Sequence, residues 1–200
     1  MTCNCIEVAV CLVAAADAEG LDTFALAGFS LGGPIAIRAA VRHPRRVKAL
    51  ILTATFAHRD ARLDLAARLW GELYESGDRE RLAAFLSLVA FSSEALEATP
   101  PDALQAGIEA LSAIIPPGTP EHVELVRRID VREDLRHIAV PTLVISTAED
   151  PLVSPSLHRY LAEHIPGARL ATLQTGHLPF AERPAEWLGL ITDFLATSSG

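Results

Sequence analysis

Ser30 lies between two glycines, in Gly28-Phe29-Ser30-Leu31-Gly32, and this Gly-x-Ser-x-Gly spacing is where the chain first suggests chemistry. A serine hydroxyl is a weak nucleophile unless a sharp turn presents it and a neighbouring base draws off its proton. At a strained strand-to-helix turn, larger neighbours would collide with the backbone, so glycines are required there. The expected base is His177, in Thr175-Gly176-His177-Leu178-Pro179-Phe180, next to a glycine at the end of an apolar run. The other six histidines, His43, His58, His122, His137, His158 and His164, fall in helical or polar-loop sequence and read as surface residues. A third group must orient the imidazole. Asp150, in Ser146-Thr147-Ala148-Glu149-Asp150-Pro151, suits that role, with Glu149 and Asp60 as rivals. The Leu31 amide, at the start of the next helix, is the expected donor to a developing oxyanion.

These residues need a scaffold, and the pattern of apolar residues supplies one. Ile6 to Glu19 has helix-favouring composition and ends at Gly20, which suits a helix C-terminus. Thr23 to Ala27 reads as a short strand, Pro34 to His43 as a helix, and Val47 to Thr53 as a strand buried on both faces. Strand, turn, helix and strand in that order make a parallel βαβ unit. From about Thr55 to Arg136 only helical spacing appears. Leu63, Ala67, Trp70 and Tyr74 form one set, and Leu82, Phe85, Leu86 and Val89 another. Ala103 to Ile115 and Val123 to Ile129 follow, with proline pairs at Pro100-Pro101 and Pro116-Pro117 as breaks. Strand logic returns at Pro141 to Ser146 and Ala168 to Leu173, with helices expected over Leu157 to Ile165 and Pro184 to Leu195. The last of these turns Trp187 and Phe194 inward.

The fold class is therefore α/β, a parallel sheet with helices on both faces and an all-helical insertion. Residues 1–54 carry the nucleophile segment of the core, 55–135 the helical cap, and 136–200 the core segment with the acid and the histidine. Trp70, Tyr74, Phe85 and Phe91 are expected to roof an apolar pocket.

Half the residues are hydrophobic and 21% charged, a globular balance that excludes wholesale disorder. A net charge of −8 argues against nucleic acid or an anionic membrane as partner. The densest basic group, Arg42, Arg45, Arg46 and Lys48, reads as a solvated helix–strand junction. Cys3, Cys5 and Cys11 have no histidine at metal-ligand spacing, so neither metal nor other cofactor is expected. Reduced thiols suit a cytoplasmic location. The apolar stretch Val8 to Ala16 lacks the basic residues of a signal peptide and is too short to span a bilayer; it reads as a core helix.

With these pieces in view, the chain resembles the α/β-hydrolase superfamily, in the branch of esterases, enol-lactonases and thioesterases with a helical cap. The resemblance rests on Ala27 to Gly33, His43 to Val47, Pro141 to Ile145, Glu149 to Val153 and Gly176 to Pro184. The order serine, acid, histidine is the one this superfamily uses. The resemblance implies attack by Ser30, proton transfer by His177, orientation by Asp150 and a small-molecule acyl substrate. A serine at this position disfavours the similar dehalogenases, which use an aspartate.

The same resemblance implies several strands, and a His-Gly type loop with a second oxyanion donor, ahead of the first helix read here. Their absence makes Thr23 to Ala27 an exposed edge, open to pairing in a homodimer. The chain is then expected to be either a fragment of a longer hydrolase or a chain whose edge a partner covers. The second function in view is a weakly active or inactive homologue that works by association.

Overall fold

A computed structural model describes the backbone of residues 5–198 and the side chains of residues 12–198. Four strands form one parallel sheet in the order β1-β2-β3-β4: β1 Phe24–Phe29, β2 Val47–Thr53, β3 Thr142–Thr147 and β4 Arg169–Leu173. Helix α1 (Cys5–Ala18) packs on α2 (Gly32–Arg42), and α8 (Pro155–His164) links β3 to β4. Two helices close the described chain, α9 (Pro179–Glu182) and α10 (Pro184–Ser198). Cys5 and Cys11 lie in α1, as expected, while Cys3 lies outside the described residues.

The continuous apolar runs of β2 and β3 are explained by cover on both faces. Successive side chains alternate, so Leu50, Leu52 and Val144 meet Ile37 and Ala40 of α2 and Leu157 and Leu161 of α8 in the larger core. Ala49, Ile51, Leu143 and Ile145 face the opposite way, onto Phe194, with Trp187 and Ile191 packed alongside. The inward orientation expected for Trp187 and Phe194 is what the structure has. β1 pairs only with β2 among the described residues, which makes it the sheet edge, with Ala25 and Ala27 exposed.

Between β2 and β3 run helices α3 (Ala61–Glu75), α4 (Arg79–Ala90), α5 (Ser93–Ala98), α6 (Pro101–Ile114) and α7 (Thr119–Arg128). α3 packs on α7 and α4 on α6. Asp60, Asp78 and Ser92 accept hydrogen bonds from Leu63, Arg81 and Ala95 amides, so each caps its helix. The insertion leaves and re-enters the core at one point. There Val131 N–H donates to Ala57 O over 2.8 Å and His58 bridges Asp130. Three elements differ from the sequence expectation, α5, a 3-10 helix over Arg132–His137 and the four-residue α9, because none is longer than six residues and none repeats a helical period.

Arg46, read as solvated, instead stitches the core. It donates to the Leu21 and Asp22 carbonyls and to Asp17, tying the end of α1 to the start of β2. No helix of the described residues is long and apolar enough to cross a membrane.

Candidate active site

Ser30 follows the last residue of β1 with φ +49°, a left-handed conformation that a non-glycine residue adopts only under constraint. The constraint comes from β2 and the segment after it. Ser30 N–H donates to Thr53 O (3.2 Å), and Ser30 O accepts from Thr55 Oγ1 (2.5 Å) and Gly33 N–H (3.0 Å). Ala54 at the end of β2 also has positive φ, +48°, so among the described residues both non-glycine positions of this kind stand at neighbouring strand ends.

The glycine requirement falls differently from the sequence expectation. A Cβ on Gly28 would lie 2.7 Å from Gly32 O and from Gly33 Cα, and one on Gly33 would lie 2.0 Å from Thr55 Oγ1. Gly32, the closing glycine of the pentapeptide, has open space where its Cβ would stand, since it borders a cavity. Gly33, outside the motif, is the tighter position. The Leu31 N–H has no acceptor among the described residues and starts α2, so it is free to donate to a ligand.

His177 sits in the loop between β4 and α9 and is 5% exposed. Its Nε2 is 3.0 Å from Ser30 Oγ and its Nδ1 2.8 Å from Asp150 Oδ2. The Asp150 carboxylate, also buried, is ringed by donors. Leu152 and Val153 N–H donate to Oδ1 (2.9 and 2.8 Å), and Thr147 Oγ1 donates to Oδ2 (2.9 Å). A carboxylate held this way accepts, so the shared proton belongs on His177 Nδ1. That leaves the Nε2 lone pair facing the serine hydroxyl. The rivals are elsewhere. Asp60 caps α3 and accepts from Ser154 Oγ, and Glu149 is exposed.

Aromatic rings support the histidine from the side. Phe29 stands 4.9 Å from the His177 ring and 5.1 Å from Phe180, which in turn meets Trp187 at 5.7 Å. Trp187 Nε1 donates to Thr53 Oγ1, joining this row to the strand that pins Ser30.

Above these groups lies a cavity of about 640 Å³ walled by the insertion, with Trp70, Leu86, Val89, Phe91, Leu104 and Leu111 among its linings. Trp70 and Phe91 take their expected places. Tyr74 and Phe85 do not line it. Tyr74 instead stacks under Arg79 at 3.7 Å and donates to Pro117 O. Among the described residues no Asp, Glu, Lys or Arg faces the cavity. Its polar members beyond Ser30 and His177 are Ser87, Thr99 and His122. The His122 ring stands against Trp70 (5.3 Å), and desolvation there lowers its pKa. It is neutral at pH 7.

His158 corrects the surface reading directly. It is fully buried on α8, with Nδ1 3.1 Å from Ser146 Oγ and no partner for Nε2. Desolvation drives its pKa down to about 4. The signal was present in the sequence. His158 lies three and seven residues before Leu161 and Ile165, on their inward stripe.

With this geometry in hand, comparison with known proteins is direct. The model of the alpha/beta hydrolase fold family matches residues 3–184. The chain belongs to the alpha/beta hydrolase fold family. Members with curated functions include pyrrolizixenacetamide deacetylase of Xenorhabdus hominickii, 36% identical over 191 residues, covering 94% of this chain and 71% of that protein. Pimeloyl-(acyl-carrier protein) methyl ester esterase of Neisseria meningitidis serogroup C is 33% identical over 197 residues, covering 91% and 74%. Among solved structures, a hydrolase from Pseudomonas aeruginosa PA01 superposes with TM-score 0.84 at 28% identity, covering 96% of this chain and 72% of that one. The enol-lactonase of Burkholderia xenovorans LB400 shares the fold at TM-score 0.84 and 23% identity, over 98% and 74%. The chain is thus an alpha/beta hydrolase family enzyme.

Proposed function

We propose that this alpha/beta hydrolase cleaves a small, uncharged carboxylic ester, lactone or thioester through an acyl-enzyme on Ser30. The observation that carries the reading is the unbroken relay from Asp150 through His177 to Ser30, at the floor of an apolar cavity. Ser30 Oγ attacks the carbonyl carbon while His177 Nε2 takes its proton. Asp150 holds the ring and stabilises the imidazolium that forms. The tetrahedral oxyanion is met by the Leu31 N–H, aided by the N-terminus of α2. Collapse expels the alcohol or thiol, which receives the proton from His177, and a water then releases the acid by the same path. A cavity wall with no charged residue favours an uncharged acyl group, because burying an unpaired charge there carries a large desolvation penalty. The esterase and deacetylase named above are consistent with acyl transfer to water.

A fluorophosphonate probe with mass spectrometric mapping tests the reading. Labelling is expected on Ser30, absent in Ser30→Ala and His177→Ala, and slowed about 10⁴-fold in Asp150→Asn, where the wrong tautomer is held. Folded wild-type protein that does not label, or Ser30→Ala with full ester turnover, overturns it.

A second reading, association, is favoured by β1, which among the described residues pairs only with β2 and leaves its other side as a template for another copy. A strictly monomeric mass in light scattering at high protein concentration rejects it.

A further inference from the structure

The carboxylate of Glu182 joins three parts of the molecule, the loop before His177, the α4–α5 connection and the end of α9. Its Oε1 accepts from Gly176 N–H (3.1 Å), the residue before His177, and from Ser92 N–H (2.9 Å), on the α4–α5 connection. Its Oε2 accepts from Ser92 Oγ (2.7 Å). Ser92 is buried and is the N-cap of α5, its Oγ accepting from Ala95 N–H at 3.2 Å. Glu182 itself ends α9, the short helix whose Phe180 packs beside Phe29. The fit is close as well as polar. A Cβ on Gly176 would lie 2.3 Å from Ser92 N, 2.5 Å from the Phe91 carbonyl carbon and 2.8 Å from Glu182 Oε1. A parallel, exposed pair runs between Arg183 and Glu94 of α5.

We propose that Glu182 is a positioning residue: by clamping Gly176 to Ser92 it sets His177 and the helical insertion in one fixed relation over Ser30. This rests on the triad reading above and extends it to how the triad is held. The physical case is that His177 lies on a loop, and a loop residue holds an Nε2–Oγ distance near 3.0 Å only if its backbone is restrained. Asp150 restrains the ring. It does nothing for the Gly176 amide. Glu182 does, through a charge-assisted hydrogen bond, the stronger kind. The same carboxylate fixes Phe91, a cavity wall residue, through its neighbour Ser92. Glu182 hydrogen-bonds to Gly176 and Ser92 and to neither Ser30 nor His177, so its effect passes through the backbone.

The test compares Glu182→Ala, Glu182→Gln and Ser92→Ala with wild type by the second-order rate of Ser30 labelling per folded molecule, and by the kcat and KM of an ester that wild type turns over. Wild-type labelling is the control for the triad; its failure would end that reading, whereas a labelled wild type lets the clamp be judged alone. Glu182→Ala is expected to lower kcat and the labelling rate tenfold or more, since a misplacement of about 1 Å can cost about 10²-fold. KM should shift little, because the walls that bind the acyl group remain. Glu182→Gln keeps an oxygen for the Gly176 and Ser92 amides and should recover most of the rate. Ser92→Ala should lower the rate only slightly. If Glu182→Ala folds and labels as fast as wild type, or if Gln rescues nothing, the proposal is overturned. Should Glu182→Ala not fold, Glu182→Met, which puts an apolar thioether of similar length in place of the carboxylate, decides by the same rates. Wild-type labelling in folded Glu182→Met overturns the clamp, and slow labelling beside a fast Glu182→Gln supports it.

Discussion

Ser30 and His177 face each other across 3.0 Å, yet the chain secures them by unlike means. Around Ser30 the restraint falls on main-chain groups and comes from its own turn and from the end of the neighbouring strand β2. The Thr53 carbonyl, the Gly33 amide and the Thr55 hydroxyl pin its peptide groups, and the absence of a Cβ at Gly28 and Gly33 lets the turn close. Around His177 the restraint is carried by side chains drawn from distant segments. Asp150 comes from 27 residues away, and Glu182 ties the neighbouring Gly176 to Ser92, 90 residues before it. Ser30 can be held through its backbone, because a left-handed turn at a strand end is fixed by main-chain bonds and close packing against the next strand. His177, on the loop after β4, is held instead by side chains that reach it and its neighbour from elsewhere in the chain.

The sharpest way to break the Ser30 half is to restore a side chain where the turn closes. Gly28→Ala places a carbon 2.7 Å from two backbone atoms, and backbone cannot rotate away as a side chain can. The expected cost is about 3 kcal/mol of stability, the upper end of overpacking effects. Any folded fraction should lose about 10²-fold in turnover, because Ser30 shifts with the turn. Gly32→Ala, four residues on, is the matched control. It has open space, sits at the start of α2, and should change stability by less than about 0.5 kcal/mol. Denaturant unfolding of both variants decides the point, and equal losses at the two glycines would refute this account of the elbow.

That contrast also explains what could be read from the sequence. The elbow, the order of the three site residues and the four strands were legible because each depends on a short run of residue types. β2 and β3 announced themselves as continuous apolar runs, and the structure ends them within about a residue of where composition did. Glu182 stood inside a stretch noticed only for its resemblance, and nothing local distinguishes its carboxylate from a solvated one. Its partner is Ser92, in the connection before a helix too short to show a period. Tyr74 and Phe85 miss the cavity although their spacing is helical, because that spacing states that a helix has an inner face, not which neighbour the face meets. His158 shows the opposite failure. Its place on the stripe of Leu161 and Ile165 marks it as inward, and that periodicity outweighs the polarity of the ring.

His158 offers a milder way to probe the histidine half, through pH rather than a clash. It packs behind β3, near Asp150, and the groups acting on it are Asp150, which raises its pKa, and His177 and Arg159, which lower it, all less than burial does. The unfolded chain takes up a proton near pH 6.5, whereas the native protein resists until about pH 4. Native stability from this residue is therefore complete above pH 6.5 and declines as the pH falls from there towards 4, where the loss levels off. The expected decline is about 2–3 kcal/mol across that window. In His158→Gln the titrating group is gone, while an amide can still reach Ser146 Oγ. Urea unfolding at pH 7 and pH 4.5 should show wild type losing more stability than the variant over the same interval. Parallel losses would mean that the buried ring takes its proton in place, and that the region behind Asp150 yields where the elbow does not.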